Sequence, residues 1–198
     1  MRRHLDALWQ GPILDASRVA YRGFVDSWRQ DCPLVLDSGC GTGTSTALLA
    51  AKFPEAVVVG IDQSRSRLSR FREPMPPNMR LVRARAEDFW RLLRADRIRP
   101  ARHFLLYPNP WPKAVQLKRR WHGHPVFPEL LALGGQLELR TNWRIYAEEF
   151  RLAAGICGIE VPPVVSFSVQ SPLTPFERKY AESGHRLYRL GLNLEETE

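Results

Sequence analysis

The sequence predicts an α/β fold, a mostly parallel seven-stranded sheet with helices on both faces. Three observations predict it. Seven short apolar runs are interspersed with helix-like segments along the chain. One unit, Leu34 to Gly43 (LVLDSGCGTG) followed by TSTALLAAKF, reads as strand, tight glycine turn and helix. A second apolar run, AVVVGID, ends in Asp62 roughly twenty residues beyond that turn, as a second strand of such a site does.

Size and charge set the outer limits. A chain of 198 residues suits one good core, so residues 1–198 are expected to form a single domain with 1–31 as an N-terminal helical arm. A net charge of +8 fits a polyanionic partner, and it equally fits a merely basic protein. Cys32, Cys40 and Cys157 show neither paired nor metal-ligand spacing, so reduced thiols and no metal site are expected. No apolar run approaches the ~18 residues of a membrane span, and MRRHLDALWQ lacks the apolar core of a signal peptide. A cytoplasmic protein without a membrane partner is expected, as monomer or homodimer.

In the arm, Leu5, Leu8 and Trp9 share one helical face, and Arg18 to Trp28 reads as a helix covering the sheet or closing over a ligand. Strand one is 34–37. Gly39, Gly41 and Gly43 permit positive φ and let a ligand approach main-chain N–H groups. The next helix spans 44–53, stopped by Pro54, and strand two spans 56–61. Asp62 is placed to accept both hydroxyls of a ribose. A dinucleotide site prefers GxGxxG, with a pyrophosphate on the helix N-terminus. Here the third glycine comes one place early, and Asp37 stands before the loop, where it would repel a pyrophosphate but can hold an amino group. That suits S-adenosylmethionine better than NAD, and the pattern resembles the first motif of class I methyltransferases.

Gln63 to Phe71 reads as a helix bearing Arg65, Arg67, Arg70 and, just beyond, Arg72, a face that is either solvated or turned to phosphates; EPMPPN ends it. Strand three is Met79 to Arg83. Glu87 and Asp88 then open a helix; Asp88 can reach an adenine amino group, or it can simply complement the helix dipole. Strand four is His103 to Tyr107. It runs into Tyr107-Pro108-Asn109-Pro110-Trp111-Pro112-Lys113, a rigid non-helical loop at the active edge of such sheets. Lys113, Lys118, Arg119 and Arg120 follow, interleaved with Trp121, His122 and His124, a pattern suited to nucleic acid or to a solvated surface. Val126 to Leu133 is a helix, Gln136 to Arg140 strand five, and Trp143 to Ala154 an amphipathic helix with Glu148 and Glu149 facing solvent. Val164 to Val169 and Arg186 to Leu190 are the last strands, with a possible flap between them.

FLLYPNPWPKAVQLKRRWHGHPVFPELLA resembles the PDPWxK and HxKRR signature of the bacterial tRNA (guanine-N7-)-methyltransferase family. The likeness continues through Thr141-Asn142-Trp143, Tyr146-Ala147-Glu148 and Thr174-Pro175-Phe176-Glu177, which are similar to the family's TDW, YAE and TKFE segments. It implies a class I methyltransferase Rossmann-like fold with an antiparallel C-terminal edge strand, S-adenosylmethionine as cofactor and tRNA as partner. It further implies a cofactor site of Asp37, Gly39, Gly41, Gly43, Asp62, Gln63, Glu87, Asp88 and Asn109. Asn109 matches the key active-site acid. Lys113, Asn142, Thr174, Phe176 and Glu177 match substrate-side residues, and Lys118, Arg119 and Arg120 would meet phosphates.

The departures fall on the substrate side: Asn109 and Asn142 replace aspartates, Gln116 a histidine and Pro175 a lysine. Losing two carboxylates weakens guanine selection, so two other readings fit as well. One is a related methyltransferase acting on another RNA base or a small molecule, and the other is an RNA-binding protein with weakened or absent catalysis.

Overall fold

The computed structural model describes residues 9–28 and 31–194, so Leu5 and Leu8 of the expected helical face lie outside the described residues. The elements are α1 (Asp15–Ser27), β1 (Leu34–Ser38), α2 (Thr44–Lys52), β2 (Val57–Ile61), α3 (Arg65–Leu68), β3 (Met79–Val82), α4 (Ala86–Ala95) and β4 (Arg102–Leu106). Two 3₁₀ turns follow, Ala114–Arg119 and Trp121–Gly123. Then come α5 (Phe127–Leu131), β5 (Gln136–Thr141), α6 (Arg144–Ile156), β6 (Val165–Phe167), α7 (Pro175–Glu182) and β7 (Leu187–Asn193).

Alternation along the strands builds two cores, because successive side chains leave opposite faces. Leu34, Leu36, Val59, Ile61 and Leu105 face one side, where α1, α4, α5 and α6 bury Phe24, Trp90, Phe127 and Phe150. Val35, Val58, Phe104 and Leu106 face the other, under Leu49 and Ala50 of α2 and Leu173 ahead of α7. Helices therefore cover both faces, as expected.

The seven strands lie in the order β3-β2-β1-β4-β5-β7-β6. Parallel pairing runs from β3 to β5, and β7 is antiparallel to both β5 and β6. The antiparallel pair is at this edge as anticipated, but β7 is inserted, and the short β6 forms the rim.

One expected helix shrinks. The helix read over 63–71 is a single turn, Arg65–Leu68, capped by the Ser64 hydroxyl, which accepts from Arg67 N. Continuing the helix to 71 would set the like charges of Arg67 and Arg70 one turn apart, and Pro74, Pro76 and Pro77 bar helix beyond residue 73.

The α1 helix takes the covering role: Tyr21 and Phe24 join the core on one face of the sheet, packed against α4. Its Tyr21 hydroxyl donates to Asp96 Oδ2 at 2.7 Å, and Phe24 packs on Phe89.

Close approach decides Gly60 in β2. A Cβ there would sit 2.2 Å from Thr46 Oγ1 and 3.0 Å from Cys40 Sγ. Gly60→Ala is expected to destabilise the fold by about 1–3 kcal/mol through overpacking. Urea unfolding measures this, and an unchanged midpoint would show that α2 can shift without cost.

Candidate active site

Strand order reverses between β1 and β4, and the loops leaving their carboxyl ends diverge there, opening the crevice in which such sheets bind ligands. Five groups of expected residues leave that same edge. They are the glycine loop after β1, Asp62 after β2, Glu87 and Asp88 after β3, Asn109 after β4 and Asn142 after β5.

All three loop glycines have positive φ, at 80°, 62° and 87° for Gly39, Gly41 and Gly43. Their roles divide. A Cβ on Gly39 or Gly41 would meet nothing within 4 Å among the described residues, so these two leave open space at the crevice, whereas one on Gly43 would press on Leu81 at 3.0 Å. Gly43 is therefore a packing glycine at the start of α2. The expectation that the loop turns its N–H groups to a ligand needs correction at three positions. Gly39 N and Cys40 N donate to the Ile61 carbonyl at 2.8 and 3.1 Å, and Gly41 N donates to Asp62 Oδ2 at 3.1 Å.

Asp37 is buried, and its Oδ2 accepts from Ser45 Oγ at 2.6 Å and Thr46 Oγ1 at 2.8 Å. Burial raises its pKa to about 6 despite these two donors. Its first task is to brace α2 against β1, a use that the sequence reading did not foresee. Asp62 is also engaged: Oδ1 accepts from Ser64 N at 2.7 Å and from Arg67 Nη2 at 2.8 Å. A diol entering here competes with Arg67, whose side chain is half exposed. Gln63 offers its main-chain carbonyl to Arg83 at 3.4 Å, and Glu87 pairs with Arg85 at 2.7 Å.

Asp88 differs from the other acids. It is fully buried, and its Oδ2 accepts from Leu14 N at 3.3 Å. Its Oδ1 is buried with no hydrogen-bond partner among the described residues. A buried carboxylate oxygen normally finds a donor, because leaving it unpaired costs about 1–3 kcal/mol or more. An amino group arriving from the crevice would satisfy it. The N-terminal arm thus reaches the same acid through Leu14.

The proline loop carries two aromatic residues in the left-handed region, Tyr107 at φ 52° and Trp111 at φ 44°. Such bulky residues adopt it only when their surroundings impose it, and it costs on the order of 1–3 kcal/mol each. Those surroundings are visible. The Tyr107 hydroxyl donates to Glu177 Oε1 at 3.0 Å, and the Arg120 guanidinium donates to the carbonyls of Trp111 at 2.9 Å and Pro112 at 3.3 Å. Between these anchors Asn109 is exposed, with Oδ1 accepting from Trp111 N at 3.3 Å in an Asx turn. Asn142 is half-buried at the neighbouring strand end and makes no side-chain hydrogen bond among the described residues.

Three expected substrate residues turn inward or into local structure. Glu177 is fully buried and accepts from Tyr107, from Arg140 Nη1 at 3.0 Å and from Leu173 N at 2.5 Å. Thr174 caps α7 by accepting from Glu177 N at 2.9 Å. Arg120 is buried and ion-paired with Glu149, so it does not stand beside Lys118 and Arg119 at the surface. Glu149, expected in solvent, also meets His122 Nε2 at 3.0 Å. Burial lowers the His122 pKa to about 4, so the imidazole is neutral and donates to Glu149. Lys113, Lys118, Arg119 and Phe176 remain exposed, with Arg119 stacked over Trp111 at 4.8 Å.

The division has a measurable consequence. Arg120→Ala should cost about 2–3 kcal/mol of stability, because it leaves the part-exposed Glu149 with only His122 and releases the carbonyls of Trp111 and Pro112. Lys118→Ala should stay within about 0.5 kcal/mol and act on binding alone. Equal melting points for the two variants would contradict the buried role.

Among the described residues no cluster of three or more His, Cys, Asp or Glu could hold a metal ion, and no helix is long and apolar enough to cross a membrane.

A family model described as "Putative methyltransferase" matches residues 31–190. A tRNA (guanine-N(7)-)-methyltransferase of Mycobacterium avium is 31% identical over 188 residues, covering 88% of this chain and 71% of the relative. One of Treponema pallidum is 29% identical over 170 residues, covering 80% of this chain, and the chain spans 66% of that relative's length. Among solved structures, a variant of the 16S rRNA (adenine(1408)-N(1))-methyltransferase with cosubstrate SAM from Catenulisporales acidiphilia superposes with a TM-score of 0.62. The identity is 16%, over 90% of this chain and 93% of that one. That likeness is one of fold.

Proposed function

Since this chain belongs to the tRNA (guanine-N(7)-)-methyltransferase family, we propose that it moves a methyl group from S-adenosylmethionine to N7 of a guanine in tRNA. The carrying observation is Asp88 Oδ1, a buried acceptor without a donor among the described residues, in the helix that leaves the same sheet edge as the glycine loop, where Gly39 and Gly41 have open space. An adenine amino group fits that oxygen. Asp62 takes the ribose hydroxyls once Arg67 swings out.

When bound, S-adenosylmethionine supplies a methyl group on a sulfonium; the N7 lone pair forms the new N–C bond while the C–S pair returns to sulfur. No proton moves. The chain therefore needs no general base, and its work is to hold N7 in line and to favour developing positive charge on the base. Asn109 and Asn142 stand where base edges would lie. Each offers one acceptor and one amide donor, without the charge of a carboxylate. Lys113, Lys118 and Arg119 meet phosphates. The chain acts as one catalytic unit, with α1 as a fixed cover whose Leu14 N–H helps hold Asp88.

The direct test is incubation with labelled S-adenosylmethionine and total tRNA from cells lacking N7-methylguanosine, followed by nucleoside identification. Labelled N7-methylguanosine supports the reading. Label on another nucleoside transfers it to a related base, and tRNA binding without transfer leaves an RNA-binding protein.

Asn109→Asp gives a second test. A carboxylate accepts from guanine N1–H and the 2-amino group together, and it can keep the Asx turn to Trp111 N. Guanine transfer should rise about tenfold, the difference of ~1–1.5 kcal/mol between neutral and charge-assisted hydrogen bonds. No gain at unchanged cofactor affinity would count against guanine at this position.

A further inference from the structure

We propose that the β3 edge of the sheet is a second phosphate-binding surface, which holds the RNA backbone away from the nucleotide being modified. This rests on the tRNA reading above and adds a contact surface to it. Residues 65–85 carry seven arginines, at 65, 67, 70, 72, 80, 83 and 85, against one acid, Glu73. Arg67 and Arg85 are spent on Asp62 and on Glu87 and Asp88. The other five have no carboxylate partner among the described residues. Arg72 and Arg80 reach only main-chain carbonyls, those of Ser69 and Phe71 and of Pro77 and Met79, and Arg83 reaches that of Gln63. Arg65, Arg70, Arg72 and Arg83 are exposed.

Such a cluster repels itself, and a carbonyl oxygen leaves its net charge uncompensated. The short α3 turn and the proline-rich segment after it present these guanidinium groups from an irregular surface without a pairing row of acids. A polyanion with spaced negative charges is the partner that this arrangement fits, and Arg suits phosphate because of its planar donor fork.

Position makes that partner the same RNA. The turn after β2 and Arg83 after β3 leave the carboxyl edge of the sheet, as do Asn109 and Asn142. From β3 to β4 is three strand spacings and to β5 four, about 14–19 Å at ~4.8 Å each. The cofactor loop lies between. Lys113, Lys118 and Arg119 hold the near side of the target nucleotide, while the arginine edge holds the backbone across the crevice. A chain with one basic patch would leave the rest of a large tRNA free to pivot about the target base.

The test uses the full chain and a variant with Arg65→Gln, Arg70→Gln, Arg72→Gln and Arg83→Gln. Binding of tRNA is titrated from low to high salt, and S-adenosylmethionine binding is measured by calorimetry. Each phosphate contact contributes about 0.7–0.9 to the slope of log K against log salt. The variant should lose about 3 from that slope and at least about tenfold in affinity at low salt, with cofactor affinity unchanged. A short hairpin carrying only the target loop should bind both proteins alike. An unchanged tRNA slope overturns the proposal. So does loss of binding to acidic vesicles with the tRNA slope kept, which would make this a membrane-facing surface. Failure of the parent reading is separate: it shows as absence of methyl transfer by the unmodified chain, and a slope difference on tRNA would still stand.

Discussion

Glu177→Ala is expected to cost about 3–5 kcal/mol of stability and to cut methyl transfer by about a hundredfold or more. The stability loss follows from what the carboxylate holds. Arg140 Nη1, the Tyr107 hydroxyl and Leu173 N all donate to it in a fully buried position, and removing it leaves a buried guanidinium with only Glu138. The catalytic loss follows from Tyr107. Its φ of 52° is held by that hydroxyl bond, and the chain turns at Tyr107 into the loop that carries Asn109. A displacement of about 1 Å at the reacting base can cost on the order of a hundredfold.

Glu177→Gln separates positioning from direct contact. Its amide keeps the volume but turns a donor toward Arg140 or Leu173. A positioning role predicts that stability and kcat fall together, with tRNA KM and cofactor affinity little changed. If Glu177 instead touches the base, KM and base selection should move while the melting temperature stays put.

Glu177 also shows where sequence reading stops. Thr174 with Glu three places on is the local signature of a capping box, and Thr174 does cap α7. The far end of the Glu177 side chain is set by Tyr107, seventy positions away, and no local pattern encodes that contact. Arg120 is a similar case. In a Lys-Arg-Arg run all three charges look alike, and only Glu149 on α6 decides which one turns inward. By contrast, the strands were legible because Leu34–Leu36 and Val57–Ile61 are unbroken apolar runs, which a parallel strand covered on both faces requires. The glycine loop was legible as a turn. The use of its N–H groups was not, since Gly39 and Cys40 donate to a neighbouring strand. The insertion of β7 between β5 and β6 likewise depends on pairings between distant segments.

Asp88→Ala is expected to weaken S-adenosylmethionine and S-adenosylhomocysteine alike, by about a hundredfold, because both carry the adenine. A charge-assisted hydrogen bond contributes about 1.5–3 kcal/mol. The unliganded protein bears part of this burden already, since Asp88 Oδ1 has no hydrogen-bond partner among the described residues. The alanine variant also strands Leu14 N, so its unfolding free energy must be measured beside its affinity. Asp88→Asn is the sharper experiment. Its amide keeps an acceptor, and adenosyl ligands should lose only about tenfold. Its donor can also turn toward the crevice. S-inosylhomocysteine, with a carbonyl where adenine has its amino group, is repelled by the carboxylate of the unmodified chain. It should bind better to Asp88→Asn than to the parent, reversing the preference. An affinity ratio between the two ligands that is the same in both proteins would mean that Asp88 serves only α4 and Leu14, and that the adenine lies elsewhere.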